Sequence, residues 1–436
     1  MPVAESTVTD LPRGLPLRGE VRVPGDKSIS HRALILSALA SGKSMIYGSN
    51  TGADVAATAA ALTALGSACV ITDKGSVEVE GCGPDGLHEP AGILDCGNSG
   101  TTLRTLLGVC AAVDGLSVLS GDRSLRARPM MRVVAPLRRL GAHIDGRGGG
   151  EFPPLAVRGG RLTGTAIETG VASAQVKTAL LLAGLSAEGE TRVVEPEKSR
   201  DHTERMLAAA GVDVRVDGTA VSVRGGTSPS ARDRRVPGDV SSALFLIVAA
   251  VIVPGSDLVV RDVGLNPTRT GALVVLREMG ADVEIVIDDE WAGEPVGSIR
   301  ARSSELHGTV VGPEGVAALI DEVPVLAVAA AVAAGDTTFT GMAELRVKES
   351  DRVAAMVDGL RSVGVDAEEL SDGFIVRGPA RFHGAEIDSR DDHRVAMAFA
   401  VADQVAEGSI KISGWSSVET SFPEFLDVLA KAQRAQ

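Results

Sequence analysis

The chain is expected to be an α/β protein of two domains, each built from three copies of one helix-glycine-strand unit. Six segments share the form polar motif, aliphatic helix, Gly, β-strand: HRALILSALASGKSMIYG, TTLRTLLGVCAAVDGLSVLSG, VKTALLLAGLSAEGETRVVE, SSALFLIVAAVIVPGSDLVVRDV, VPVLAVAAAVAAGDTTFTG and HRVAMAFAVADQVAEGSIKISG. Their closing glycines, Gly42, Gly115, Gly189, Gly255, Gly335 and Gly408, recur every 66 to 80 residues, so six units nearly exhaust the 436 residues. The composition agrees: 51 Gly against two Trp, one Tyr and eight Phe requires a core of small aliphatic side chains.

Taken in order, the first element is LPLRGEVRVPG, where Leu17, Val21 and Val23 predict a short strand. Five of the repeated helices are followed by a second helix, a Gly and a hairpin, as in MLAAAGVDVRVDGTAVSVRG. Gly66, Gly141, Gly211, Gly280 and Gly364 stand where a helix end needs a left-handed residue, and Val-Asp-Val-Arg-Val then alternates as a half-buried strand. The sixth unit ends in FPEFLDVLAKAQ without a hairpin, and its missing strands are assigned to the N-terminal segment. The expected division is a continuous domain, 25–236, and a discontinuous one, 1–24 plus 237–436. The chain would cross between them near Pro24-Gly25 and Pro237-Gly238, a pair of links suited to a hinge.

A net charge of −14 argues against nucleic-acid binding, which wants a basic surplus. Cys69, Cys82, Cys96 and Cys110 form no CxxC pair, which fits a reducing, cytoplasmic setting without structural zinc. Met1–Asp10 is acidic and lacks the pattern of a secretion signal. The longest apolar runs, Ala243–Val253 and Val323–Ala334, are too short to span a bilayer, so a soluble protein is expected.

Polar motifs precede each repeated helix. They are Pro24-Gly25-Asp26-Lys27-Ser28-Ile29-Ser30-His31-Arg32, Cys96-Gly97-Asn98-Ser99-Gly100-Thr101-Thr102-Leu103-Arg104, Ser173-Ala174-Gln175-Val176-Lys177, Pro237-Gly238-Asp239-Val240-Ser241-Ser242, Asp321-Glu322 and Asp391-Asp392-His393-Arg394. A helix start offers unpaired N–H groups and a partial positive charge, so it holds phosphate or carboxylate well. Several such starts facing each other across two domains would form an anion-binding cleft despite the acidic total. Singly, Asp26 or Ser28 also fits a plain cap, and Gly97-Asn98-Ser99-Gly100 an ordinary turn. In Arg346-Val347-Lys348-Glu349-Ser350-Asp351-Arg352, Lys348 and Arg352 are expected on one face of a helix, with carboxylates alongside. That set suits both anion binding and proton transfer. No P-loop, dinucleotide fingerprint or Gly-x-Ser-x-Gly elbow is found.

The motifs GDKSISHRA, GNSGTTLR, RARPM, SAQVKTALLLAGL, SRDHTE, DEVPVLAVAA, LRVKESDR and DDHRVAM occur in that order between about Leu17 and Phe425. In them the chain closely resembles the 5-enolpyruvylshikimate-3-phosphate synthase family, the enolpyruvyl transferases of the shikimate pathway. The resemblance implies two inside-out α/β domains, each of three βαβαββ-type repeats, with a substrate cleft between them. It also implies transfer of the enolpyruvyl group of phosphoenolpyruvate to the 5-hydroxyl of shikimate 3-phosphate, through a tetrahedral ketal, with no metal or organic cofactor. That reaction serves chorismate and aromatic amino-acid biosynthesis. A monomer is expected.

By the same resemblance, Lys27, Ser28, Arg32, Ser173, Ala174, Gln175 and Arg200 would contact shikimate 3-phosphate, together with Asp321 and Lys348. Lys27, Asn98, Gly100, Arg128, Gln175, Arg352 and Arg394 would contact phosphoenolpyruvate. Asp321 would deprotonate the 5-hydroxyl, Lys348 would hold it, and Glu349 or Lys27 would protonate the methylene carbon. Two departures stand out: Thr420 occupies a position where many members carry lysine, and Ala174 replaces a serine. Gly100 lacks the methyl associated with glyphosate tolerance, so inhibition by glyphosate is expected. The nearest alternative, the UDP-N-acetylglucosamine enolpyruvyl transferases, usually carry a reactive cysteine near the position of Arg126-Ala127-Arg128-Pro129, whereas here no Cys follows Cys110. An inactive anion-binding homologue is the other alternative.

Overall fold

The computed structural model describes residues 12–72 and 75–435, so the acidic opening Met1–Asp10 lies outside the described residues. The chain forms two compact units. One comprises Gly25–Pro237 with Glu290–Glu294; the other comprises the chain up to Pro24, Gly238–Asp289 and the chain from Pro295 on.

In the continuous unit three four-stranded sheets repeat one plan: a short edge strand, parallel to the strand that follows a buried helix, then an antiparallel hairpin. Arg234–Arg235 pairs in parallel with Ser41–Tyr47, which is followed across the sheet by Val77–Cys82 and Ala68–Ile71. Leu94–Asp95, Gly115–Ser120, Phe152–Gly159 and His143–Gly146 form the second sheet. Ala166–Glu168, Glu190–Val194, Ala220–Arg224 and Val214–Asp217 form the third.

The helices Lys27–Ala38, Gly100–Cys110 and Ala174–Ser186 fill the interior. Ala174–Ser186 buries every residue from Val176 to Leu185, so it is covered on all sides, and most of those residues are aliphatic. Helices inside and sheets outside explain the small-residue composition. Gly108 shows how close the packing is: a Cβ there would lie 2.1 Å from the Ala179 carbonyl oxygen. The predicted turn glycines do adopt left-handed backbone, for example Gly66 at φ 111° and Gly364 at φ 91°.

The discontinuous unit has the same plan around Val240–Ile252, Val323–Val332 and His393–Asp403. Among the described residues its third sheet contains two strands, His383–Asp388 and Glu407–Ser413. The expectation that the N-terminal strand completes this sixth unit is not met. Arg18–Arg22 instead pairs in parallel with Asp257–Gly264, the strand of the fourth unit, with Val21 opposite Val260. Most units take their edge strand from the chain just before their buried helix. At the two crossings the chain changes unit between those elements, so each edge strand stays behind: Arg18–Arg22 serves the fourth unit and Arg234–Arg235 the first.

Candidate active site

In the continuous unit, three capped helix starts are tied together by side chains. Asp26 accepts from the Ile29 N–H at 2.8 Å, Ser99 from Thr102 at 3.0 Å, and Ser173 from Val176 at 3.5 Å. Lys27 Nζ, in the first turn after Asp26, donates to Asp54 Oδ2 at 3.0 Å. Arg32, one turn further on, is buried, and its guanidinium donates to the Ser28 carbonyl at 2.9 Å and the Ala174 carbonyl at 3.4 Å. It also donates to the hydroxyls of Thr178 and Thr203, each at 2.8 Å. Burial, with a smaller contribution from the charge of Arg200, lowers its pKa to about 10 against the opposing pull of Glu204 and Asp26. Arg32 therefore joins Ser28 to the Ser173-Ala174-Gln175 turn, with Arg200 close enough to act on it electrostatically.

The second helix start carries the other cations. Arg128 Nη2 donates to Asn98 Oδ1 at 2.6 Å, and Asn98 Nδ2 donates to Asp122 at 2.6 Å. Gln175 accepts from Arg104 Nη1 at 2.7 Å and donates to Thr101 Oγ1 at 2.9 Å. A Cβ on Gly100 would stand 3.1 Å from Arg104 Nη1 and 3.2 Å from Arg128 Nη1, so the missing side chain leaves room beside two guanidinium groups. His31 is buried against Thr58 Oγ1 at 2.7 Å. Burial, with the charges of Lys27 and Arg32, holds its pKa well below the ordinary imidazole value, so it is neutral.

The discontinuous unit assembles Asp321, Lys348, Glu349, Arg352 and Arg394. Arg352, 1% exposed, donates to Asp392 Oδ2 at 2.7 Å, Glu349 Oε2 at 2.6 Å and Asp321 Oδ1 at 3.2 Å. Burial alone would lower its pKa, but Asp392, Glu349 and Asp321 together hold it above the ordinary value. Lys348 Nζ lies 3.4 Å from the same Asp321 oxygen. Arg394 donates to the Asp321 carbonyl at 3.0 Å and approaches Glu322 Oε1 at 3.5 Å. Three carboxylates thus share one buried cation, Asp392 fully buried and Asp321 and Glu349 partly exposed.

One local expectation is corrected here. Lys348 and Arg352 do not share a helix face: Ala343–Val347 is a 3₁₀ turn, and the helix begins at Arg352. Asp351 is its cap, accepting from the Ala354 N–H at 3.0 Å. Arg346 holds Asp351 Oδ2 at 3.0 Å and Glu369 at 2.8 Å. The chain must leave helical geometry before Asp351, so Lys348 and Glu349 lie on the approach to the helix.

A model of EPSP synthase, 3-phosphoshikimate 1-carboxyvinyltransferase, matches residues 12–429. The chain belongs to the EPSP synthase family. It is 52% identical over 418 residues to the 3-phosphoshikimate 1-carboxyvinyltransferase of Synechococcus sp. strain JA-3-3Ab, covering 95% of this chain and 94% of the relative. Identity to the enzyme of that name from Gloeobacter violaceus is 53% over 419 residues, covering 96% and 97%. The EPSP synthase structure from Acinetobacter baumannii aligns with a TM-score of 0.87 at 44% identity, covering 97% of each chain. The enolpyruvyl transferase NikO of Streptomyces tendae shares the fold, with a TM-score of 0.79 at 18% identity over 97% of this chain and 96% of that one. The two-domain α/β class expected from the repeats agrees with these neighbours.

Several residues of this EPSP synthase family member that sequence reasoning passed over complete the two constellations. Asp54 carries no motif of its own, and only the fold brings it to Lys27. Arg104 and Asp392 stood inside quoted motifs without a role. Glu322 is buried, accepts from Ser241 Oγ, and leaves Oε2 without a hydrogen-bond partner. Arg269, also buried, donates to Ser241 Oγ at 2.6 Å and Asp239 Oδ1 at 3.1 Å, tying a fourth helix start to Glu322. Thr420 turns inward on its own loop, donating to the Ser417 carbonyl at 2.7 Å. All four cysteines are unpaired, and burial pushes the Cys69 thiol up to about 11 and the Cys110 thiol up to about 12, far from the range of a reactive thiolate. No group of three or more metal-ligating side chains occurs among the described residues, and no helix there is long and apolar enough to cross a membrane.

Proposed function

We propose that the chain transfers the enolpyruvyl group of phosphoenolpyruvate to the 5-hydroxyl of shikimate 3-phosphate, releasing phosphate, within the shikimate pathway. The observation that carries the mechanism is the sharing of buried Arg352 by Asp321 and Glu349. The reaction needs a base at the hydroxyl and an acid at the methylene carbon, and two carboxylates in different settings can supply both.

In the addition step Asp321 takes the 5-hydroxyl proton as the oxygen bonds to C2 of phosphoenolpyruvate, while C3 receives a proton from Glu349 or Lys27. The product is a tetrahedral ketal phosphate. In the elimination step C3 returns a proton, the C2–O bond to phosphate breaks, and the enol ether and phosphate leave. Lys348 holds the reacting hydroxyl. Arg128, Arg352 and Arg394, with Lys27, Asn98, Gly100 and Gln175, bind phosphoenolpyruvate. Ser28, Arg32, Ser173, Ala174, Gln175 and Arg200, together with Lys27, Asp321 and Lys348, bind shikimate 3-phosphate. Preorganised cations stabilise the crowded anionic intermediate without reorganising during the step.

Glyphosate is proposed to compete with phosphoenolpyruvate beside Gly100, where two guanidinium groups border the space a methyl would take. A monomer acting in the cytoplasm, with domain boundaries at 25 and 237, completes the reading. The deciding experiment is phosphate release from phosphoenolpyruvate with shikimate 3-phosphate as acceptor, set against UDP-N-acetylglucosamine. Release with the first alone supports the reading; release with neither defeats it.

A further inference from the structure

The helix Ala174–Ser186 is buried from Val176 to Leu185, and Lys177, 1% exposed, is the charged side chain in it. A lysine there pays a large desolvation cost unless it is paired. Its ammonium lies 2.7 Å from Glu195 Oε2 and 2.8 Å from Glu204 Oε1, and both carboxylates are themselves buried. Burial raises the Glu204 pKa above its ordinary range against the pull of Lys177.

Glu195 differs from Glu204 in what else it holds. It follows the strand Glu190–Val194, and its own N–H is anchored to the Thr219 carbonyl at 3.1 Å. Its Oε1 accepts from the backbone N–H of Ser173 at 3.1 Å, and its Oε2 from the backbone N–H of Ser199 at 3.4 Å. Ser173 caps the helix that begins Ala174-Gln175, and Ser199 immediately precedes Arg200. One carboxylate therefore ties together two chain segments that touch the same ligand under the proposed function. Lys177 fixes that carboxylate from inside the helix.

We infer that Glu195, clamped by Lys177, is a positioning residue for shikimate 3-phosphate: it sets the spacing between the Ser173 turn and Arg200 without touching the substrate. The inference rests on the proposed function. Bidentate support of this kind governs affinity because a ligand held from two sides tolerates little misplacement of either.

The test compares Glu195→Gln, Glu195→Asp and Glu204→Gln in the full chain, by titration calorimetry with shikimate 3-phosphate and by steady-state kinetics. Glu195→Asp keeps the charge beside Lys177 but shortens the reach, so it reads positioning even where Glu195→Gln fails to fold. The expected result is a rise of about tenfold in Kd and KM for shikimate 3-phosphate in both Glu195 variants. Their kcat should stay within about threefold of the parent, and Glu204→Gln should bind within about twofold of it. Unchanged affinity in Glu195→Asp, or an equal loss in Glu204→Gln, would overturn the inference, the latter because it would mark the triad as a general structural brace. Failure of the unmodified protein to bind shikimate 3-phosphate would instead overturn the function on which the inference stands.

Discussion

Arg352 and Asp392 form an ion pair from which water is excluded: Nε meets Oδ2 at 2.7 Å, and the two side chains are 1% and 0% exposed. Asp392 also caps the helix His393–Asp403 and accepts from Ser350 Oγ at 3.1 Å, so one carboxylate fixes a cation, a helix start and the approach to Glu349. Removing Asp392 takes from buried Arg352 its one fully buried carboxylate and leaves it only the partly exposed Asp321 and Glu349. Asp392→Asn should therefore cost about 3 kcal/mol of stability in urea unfolding. Arg352→Met combined with Asp392→Leu should cost less than the two single changes added together, a double-mutant cycle that reports the coupling.

Asp321 and Glu349 share Arg352 yet are assigned opposite proton tasks. Asp321→Ala and Glu349→Gln should each lower kcat by about 10²- to 10⁴-fold, with phosphoenolpyruvate affinity little changed and shikimate 3-phosphate affinity weakened only several-fold, and only in Asp321→Ala. Phosphate release and calorimetry measure the two quantities separately. Unchanged turnover in either variant would remove that residue from the proton transfers.

Gly100 has room for a methyl only if Arg104 and Arg128 each give way by a few tenths of an ångström. Gly100→Ala should raise KM for phosphoenolpyruvate several-fold and raise the glyphosate inhibition constant by a larger factor. Inhibition assays at fixed shikimate 3-phosphate decide this, and a parallel rise in both constants would show that the methyl does not discriminate.

His31 is neutral in the folded protein because burial holds its pKa below the unfolded value. The unfolded chain therefore binds one more proton once the pH drops below about 6.5, so this contribution to stability is complete above that pH and is lost as the pH falls. The slope due to one proton is about 1.4 kcal/mol per pH unit. Denaturation midpoints measured between pH 7 and pH 5 should fall more steeply for the parent chain than for His31→Asn.

The fold was legible because its signals are local and repeated. A glycine at a helix end, such as Gly211 at φ 86°, needs only its neighbours to declare itself, and all-apolar helices announce their burial. The destination of the Arg18–Arg22 strand was not legible, because parallel pairing with Asp257–Gly264 depends on contacts more than two hundred residues apart. The helix start near Lys348 was misplaced for a different reason: Lys348 and Arg352 have helical spacing, but Asp351 competes as a cap and wins. Motifs brought attention to most residues the two constellations contain. They were silent on Asp54 and Glu195, whose importance lies in what the fold sets beside them.

The edge strand Arg18–Arg22 also bears on the order of events during synthesis. It leaves the ribosome well before its sheet partner Asp257–Gly264, which emerges only after the whole of Gly25–Pro237, and Leu17 N–H finds Ser256 Oγ across a separation of 239 residues. The continuous unit can close around its three helices while that strand waits with its backbone donors and acceptors unsatisfied by any sheet. Nascent chains stalled before residue 257 would then hold one protease-resistant body and one exposed, adhesive ribbon, and the charged run Arg18, Glu20 and Arg22 is well suited to keep that ribbon from pairing with the wrong neighbour.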